Sequence, residues 1–417
     1  MFSSPRAFQY QLLVFAGLRL ALLFLLPAAA LFRFGDFQHY YNLAAWSLPG
    51  HCLVGPAPCW PLLDYWYEFP PVFPYLSIVI LRLVGGGALP VFETYAYALA
   101  LVLVAADAGT LVVYQALARR LLPPRAAISA GWFYLLMPAP LILSWWTFDG
   151  LTTFWMVLAL WALIEQRAAL ASAAVGLGAL TKILPVLVLP AAWRALPPRR
   201  AAWVTAGAAG IFVAGLLPFA LRAPAVVVAS LEAQVSKSSY GTVWALLDGN
   251  VATPTGEPIT GNFGPLIEHF DLARATVQLH SPARVPGWMS LGLAGAVYGA
   301  VFAGALRRRA PANWTPRDTL LLVAFTWAIF VLWSKGWSPQ WQQMLVPLIL
   351  LAYPDARGVL LALLLGAVSF LEWPVLLSRG LAWGYWITVP IRTALIAGWA
   401  VALARELLAP PPAVSPP

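Results

Sequence analysis

Hydrophobic positions along this chain fall in long blocks separated by short polar joints. Apolar runs occupy about 10–32, 71–84, 92–118, 126–143, 150–166, 168–181, 183–195, 201–220, 286–306, 317–334, 341–354, 356–371 and 383–404. Most approach the roughly 20 residues that a helix needs to span a bilayer. The pair 168–181 and 183–195 is shorter and is broken by Thr181-Lys182 and Pro185. It predicts a hairpin whose tip lies within the membrane boundary, covered there by protein or a wet cavity.

Composition supports the block pattern. The chain is 61% hydrophobic and 10% charged, against roughly 25% charged residues in a soluble domain. Mean hydropathy is +0.78. Such a chain is an integral membrane protein, and its 21 Trp and 14 Tyr suit helix ends resting at headgroup level. Residues 10–32 are too long and too uninterrupted for a cleaved signal peptide, so they predict a retained first span. The formal charge of +9 does not make a nucleic-acid surface, because the basic residues sit at helix ends and not in a stripe with interleaved aromatics. The four His, at 39, 51, 269 and 280, are scattered, and no Cys/His cluster has metal-ligand spacing. Cys52 and Cys59 read either as two small buried residues or as a disulfide, which requires an oxidising compartment.

The run 71–84 decides the threading. If it lies along the interface, twelve spans remain and both termini are inside. Arg6, Arg119, Arg120, Arg125, Arg167, Arg194, Arg199, Arg200, Arg307, Arg308, Arg309, Arg317, Arg357 and Arg405 then share the cytoplasmic side. That is 14 of the 25 basic residues, concentrated in short loops as the positive-inside rule requires. The expected fold is an all-α polytopic bundle of about 12 transmembrane helices (11–13), a single domain over 1–417. Its first external loop, 33–91, carries interfacial helices. A second external loop, 221–285, is too long for an ordinary connection and predicts a partly ordered cap, and the Pro-rich tail 409–417 predicts disorder. No internal repeat is visible.

This threading gathers Asp36, Asp149, Lys182, the loop 221–285 and Lys335 on one external face. Asp36 stands beside Phe34, Gly35, Phe37, Tyr40 and Tyr41, a partly desolvated aromatic setting that pushes a carboxylate pKa upward and suits a general base; the plainer alternative is a solvated residue at a helix end. Asp149, in Trp145-Trp146-Thr147-Phe148-Asp149-Gly150, reads as a second site acid, a helix N-cap, or both. Lys182 is an intramembrane charge and so marks a functional site, with an anionic phosphate as its natural partner; snorkelling to the headgroups is the bland alternative. No acid lies near Lys182 in sequence. The cluster Lys335-Gly336-Trp337-Ser338-Pro339-Gln340-Trp341 offers groups that hydrogen-bond and stack a sugar, or a simple interfacial belt. Asp107, inside the run 92–118, must face the protein interior, with Arg19 or Arg392 as its partner.

Taken together, these motifs resemble the GT-C superfamily of multi-pass glycosyltransferases. They are more narrowly similar to polyprenol-phosphate-mannose mannosyltransferases of the family 87 and GPI mannosyltransferase I type. The resemblance rests on Gly35-Asp36-Phe37 with Tyr40-Tyr41, and on Tyr67-Glu68-Phe69-Pro70-Pro71. It rests further on Phe148-Asp149-Gly150, on Lys182 with Pro185, and on Ser338-Pro339-Gln340-Trp341, and it extends from about residue 10 to 350. Relatives of the GPI type carry an Asp-x-Asp pair in the first loop; here Phe34 and Gln38 flank Asp36 two residues away on either side, which weakens a metal-based reading.

The resemblance implies an inverting hexosyltransferase that moves a sugar, mannose first, from a polyprenyl-phosphate-sugar donor. The acceptor is a lipid or glycan at the external face of the plasma membrane, and the product belongs to the cell-envelope glycan. Asp36 is the implied base, with Asp149 as a second catalytic acid. Lys182 and Lys335 would meet the donor phosphate, and Tyr40, Tyr41, Glu68, Gln340 and Trp341 would meet substrate. No cofactor is implied; a divalent metal stays open but is not called for. The rival readings are a lipid-linked oligosaccharide ligase or polymerase, expected to bring arginines to the reaction centre, and a transporter or flippase, expected to show two related halves.

Overall fold

The computed structural model describes residues 5–234, 236, 238–261, 264–308 and 313–410. Arg309 and residues 411–417 of the tail therefore lie outside the described residues. The elements are helical throughout, with only isolated bridges between extended segments among the described residues.

The first third runs α1 (Pro5–Leu25), α2 (Ala28–Leu31), α3 (Phe37–Ala45), α4 (Val72–Gly85) and α5 (Phe92–Leu121). Helices α6 (Pro124–Leu136), α7 (Pro138–Leu143), α8 (Asp149–Ile164) and α9 (Ala168–Thr181) follow, then a 3-10 turn Leu184–Val188 and α10 (Leu189–Ala195). Next come α11 (Pro198–Arg222), α12 (Pro224–Glu232), α13 (Val243–Asp248) and α14 (Gly287–Arg308). The chain ends with α15 (Pro316–Trp333), α16 (Gln342–Ala352), α17 (Ala356–Phe370) and α18 (Tyr385–Leu408).

Among the described residues, seven helices are long and apolar enough to cross a membrane: Arg6–Leu25, Phe92–Leu121, Pro198–Arg222, Gly287–Arg308, Pro316–Trp333, Ala356–Arg379 and Ala382–Leu408. Four more are apolar but shorter, at Val72–Gly85, Asp149–Ile164, Ala168–Thr181 and Leu184–Ala195. The expectation of about twelve spans counted the last three of these as crossings and laid Val72–Gly85 along the interface. At 1.5 Å per residue, a 14-residue helix such as α9 reaches about 21 Å, less than the roughly 30 Å hydrocarbon thickness. The short helices lie inside the bundle: α8 and α9 pack on each other, α8 on α5, and α9 on α11.

Prolines set many of the breaks. Pro124, Pro138, Pro198, Pro224 and Pro316 stand in the first turn of their helices, where a missing N–H costs nothing. Thr315 and Asp318 form a capping box on α15. After α17 the chain does not continue as a regular helix; residues Leu371–Leu376, with Pro374 inside, form a π-helical turn. In the interior Asp107 pairs with Arg19 at 2.9 Å and accepts a 2.9 Å hydrogen bond from the Ser144 hydroxyl. Arg392 pairs instead with Glu372.

Both loops are ordered where described. In the first, Cys52 and Cys59 are joined by a disulfide with Cα atoms 5.7 Å apart. In the second, His269 and Ser230 reach back to the first: Trp66 N–H donates to the His269 carbonyl at 3.0 Å, and Tyr67 N–H to the Ser230 hydroxyl at 3.0 Å. The Trp66 and His269 rings stack with centroids 4.3 Å apart. Ser230 and His269, within 221–285, therefore rest on the first loop.

Candidate active site

Asp36 is fixed by a close crossing of two loops. Its N–H donates to the Trp146 carbonyl at 2.7 Å. The residue before it must be glycine: a Cβ on Gly35 would stand 2.3 Å from the Trp146 Cα and carbonyl oxygen. Asp36 precedes α3 without capping it through its side chain. Its Oδ2 accepts from the Tyr40 hydroxyl, one turn on, at 3.3 Å.

Aromatic rings build the floor. Phe73 and Phe148 stack with centroids 3.7 Å apart, and Tyr40 and Phe69 meet Phe148 edge-on at 5.8 and 4.8 Å. Asp149, following Phe148, is the first residue of α8 and is 1% exposed. It is not an N-cap: that position is Phe148, and no side-chain cap bond forms. Its Oδ2 accepts from the Thr147 hydroxyl at 3.1 Å, and its Oδ1 receives the Lys182 ammonium at 2.8 Å.

The break at Lys182 explains its reach. The backbone turns extended there, at φ −158° and ψ 133°, between the end of α9 and the following 3-10 turn. The ammonium then lies 5.3 Å from the Phe69 ring centre and 5.4 Å from that of Phe148, within cation–π range. Sequence proximity left Lys182 without an acid; Asp149, 33 positions away, supplies it.

Electrostatics single out Asp36. Its side chain is reached by solvent, yet it lies deep in the protein mass, and that depth, with Glu68 and then Asp149 nearby, pushes its pKa up from 3.8 to about 7. Lys182 and the Tyr40 hydroxyl pull the other way. Water that reaches the carboxylate screens part of the charge repulsion. The upward direction agrees with the setting read from the flanking aromatics. Burial and then Asp36 and Asp149 hold the Tyr40 hydroxyl well above its usual range, and burial, then Tyr65 and Glu68, do the same for Tyr67.

Beside this group a narrow cleft is lined by Glu68 and Lys182, with Leu62, Phe69, Leu216 and Val227 among its apolar walls. Tyr41 turns elsewhere: its hydroxyl donates to the Pro90 carbonyl at 2.6 Å, and its ring packs on Phe92 and Tyr95. Lys335 directs its ammonium toward Gly287 at the start of α14, 3.9 Å from where a Cβ would stand. Gln340 sits half-buried in the 3-10 turn Pro339–Trp341, and Trp341 packs on Phe330 and Trp337.

Tyr240, on the long loop, went unread in the sequence. Burial pushes its hydroxyl pKa up to about 12, and Glu68, Asp36 and Asp149 all add to the shift. No local pattern marks it, since the pairing that brings it in spans nearly a hundred residues. Among the described residues no group of three or more His, Cys, Asp or Glu gathers that could hold a metal ion.

No protein-family model and no curated protein matches the sequence. Solved structures do match. ArnT from Cupriavidus metallidurans, bound to undecaprenyl phosphate, superposes with a TM-score of 0.51 at 15% identity, covering 95% of this chain and 77% of that one. The two chains share a fold. The oligosaccharyltransferase of Archaeoglobus fulgidus in its apo form matches at a TM-score of 0.48 and 15% identity, over 96% of this chain. Its AglB complex with an inhibitory peptide and a dolichol-phosphate gives 0.45 at 15% identity. This chain spans 56% of the length of those archaeal structures.

Proposed function

We propose that the protein is a membrane glycosyltransferase that moves one hexose, mannose first, from a polyprenyl-phosphate-sugar to a hydroxyl acceptor, with inversion. The observation that carries the reading is Asp36: a carboxylate with a pKa near 7, open to solvent beside an ammonium, on a scaffold shared with ArnT. A base poised near the working pH combines a usable ionised fraction with real affinity for the acceptor proton. The lipid phosphate is already a competent leaving group, so no nucleotide site is needed.

In this reading Asp36 takes the proton from the acceptor hydroxyl as its oxygen bonds to the anomeric carbon, while the bond to the phosphate oxygen breaks. Lys182 faces the departing phosphate. Its ammonium has three donors, so it can keep Asp149 on one and offer another to a phosphate oxygen. Asp149 would act by holding Lys182 and not as the base. The apolar cleft beside Glu68 suits a substrate with a greasy portion, and the Cys52–Cys59 disulfide suits an active-site loop on an oxidising, external face.

The test is transfer of radiolabelled sugar from polyprenyl-phosphate-sugar by purified, detergent-solubilised protein, with the product's anomeric configuration read by NMR. Release or transfer of label in the wild type, absent in Asp36→Asn, supports the reading. No turnover with mannosyl, glucosyl or galactosyl donors would overturn it.

A further inference from the structure

The chain segment bearing Tyr240 is held in place from three directions. Tyr240 N–H donates to the Lys335 carbonyl at 3.0 Å and Trp337 N–H donates to the Tyr240 carbonyl at 3.2 Å, so the long loop pairs with the segment after α15. Gly336 makes this possible: a Cβ there would stand 2.5 Å from Cε1 of the Tyr240 ring. The next residues are fastened too. Thr242 donates its hydroxyl to the Lys335 carbonyl at 3.0 Å, and Trp244 donates its indole N–H to the Leu332 carbonyl at 3.0 Å.

The third hold comes from α18. Arg392, 3% exposed, donates to the Gly241 carbonyl, pairs with Glu372, and lies 4.6 Å from the Trp337 ring centre. Glu372 also accepts from the Thr388 hydroxyl at 2.6 Å. A buried pair of this kind costs desolvation and is weak evidence for stability alone; here it ends on a loop carbonyl. Its carboxylate comes from the π-helical turn, a feature frequent at functional sites. The neighbouring residue of that turn, Trp373, donates its indole N–H to the Phe34 carbonyl at 2.9 Å, two residues before Asp36. One irregular turn thus holds, through Arg392, the segment bearing Tyr240 and, through Trp373, the loop bearing Asp36.

The Tyr240 hydroxyl lies 3.4 Å from the Ser338 hydroxyl. Tyr240 is only half-buried, and its ring remains within electrostatic reach of Glu68, Asp36 and Asp149. We infer that Tyr240 and Ser338 form a hydroxyl pair that binds the transferred sugar, and that Arg392 and Glu372 are positioning residues for it. Two adjacent hydroxyls, each both donor and acceptor, complement a polyol; an anion would need donors alone.

This inference rests on the glycosyltransferase reading, so its test is built on binding. Full-length protein in nanodiscs is titrated with undecaprenyl phosphate alone and with the same lipid carrying mannose, glucose or galactose. At least one sugar-bearing lipid should bind more tightly than the bare lipid. Tyr240→Phe and Ser338→Ala should each remove about tenfold of that increment, the scale of one hydrogen bond, with bare-lipid affinity unchanged. The double variant should be little worse than either single one. Arg392→Lys, which keeps charge but loses the fork, should reduce the increment and leave the bare lipid alone. Equal weakening of the bare lipid by Tyr240→Phe would put the hydroxyl on phosphate and overturn the sugar assignment while sparing the parent reading. Unchanged increments in both single variants would overturn it as well. A wild-type protein that binds none of these lipids would strike the parent reading and this inference with it.

Discussion

Lys182 and Asp149 meet at 2.8 Å, with side-chain exposures of 13% and 1%. The pair closes the break between two short helices onto the start of a third, and it neutralises one of the carboxylates around Asp36. Breaking such a pair by removing one partner typically costs about 3 to 5 kcal/mol, because a buried charge is left uncompensated. Lys182→Gln should therefore lower the melting temperature, and adding Asp149→Asn should restore much of the loss. It should also weaken polyprenyl-phosphate binding about 10- to 100-fold, one to two decades at 1.4 kcal/mol each. Donor affinity that tracks stability alone, recovering in the double variant, would make the lysine a purely structural element.

Asp36→Asn preserves shape and removes the proton acceptor. Turnover should fall by roughly 10²–10⁴-fold, the usual worth of general base catalysis, with affinity for undecaprenyl phosphate little changed. A variant with normal turnover would take Asp36 out of the chemistry.

The raised pKa of Asp36 gives the pH profile a sign. The base form accumulates above about 7, so kcat/KM should climb through that pH. Glu68 is the largest charge raising it, and Lys182 lowers it. Glu68→Gln should then move the acidic limb to lower pH and Lys182→Gln to higher pH. Stability follows the same proton. The folded protein holds it more tightly than the unfolded chain does, so the stabilisation is full below about 3.8 and is lost as pH rises through about 7. Asp36→Asn should flatten melting temperature across that window. A limb that stays put in Glu68→Gln would break the assignment of the titrating group.

The threading has a direct check. Arg119 ends α5, Arg199 begins α11 and Arg308 ends α14. Cysteines at these three positions should label from the same side of the membrane. Labelling of Arg119→Cys and Arg308→Cys from opposite sides would mean that α4 crosses.

Local chemistry made part of the site legible. Asp36 stood out because acids are rare here and its neighbours are aromatic, and Lys182 because a lysine interrupts an apolar hairpin. Asp107 found Arg19 because an interior charge needs a partner. What stayed hidden depends on contacts made at a distance. The Asp149–Lys182 pair, Tyr240 on Gly336, and the grip of Trp373 on Phe34 join residues 33 to 339 positions apart. The run 356–371 read as an ordinary span, and nothing in its apolar pattern announces that the chain leaves it through a π-helical turn. Tyr41 was equally hard to place: one step along α3 from Tyr40, it points toward α5.

The crossing of Gly35 over Trp146 makes the first loop and the turn before α8 one mechanical part. A chimera that exchanges residues 33–91 alone would bring a foreign crossing to a native turn and should move the Asp36 carboxylate from its place. Recoding acceptor preference in this scaffold means transplanting both stretches together, or leaving both alone and altering only the walls.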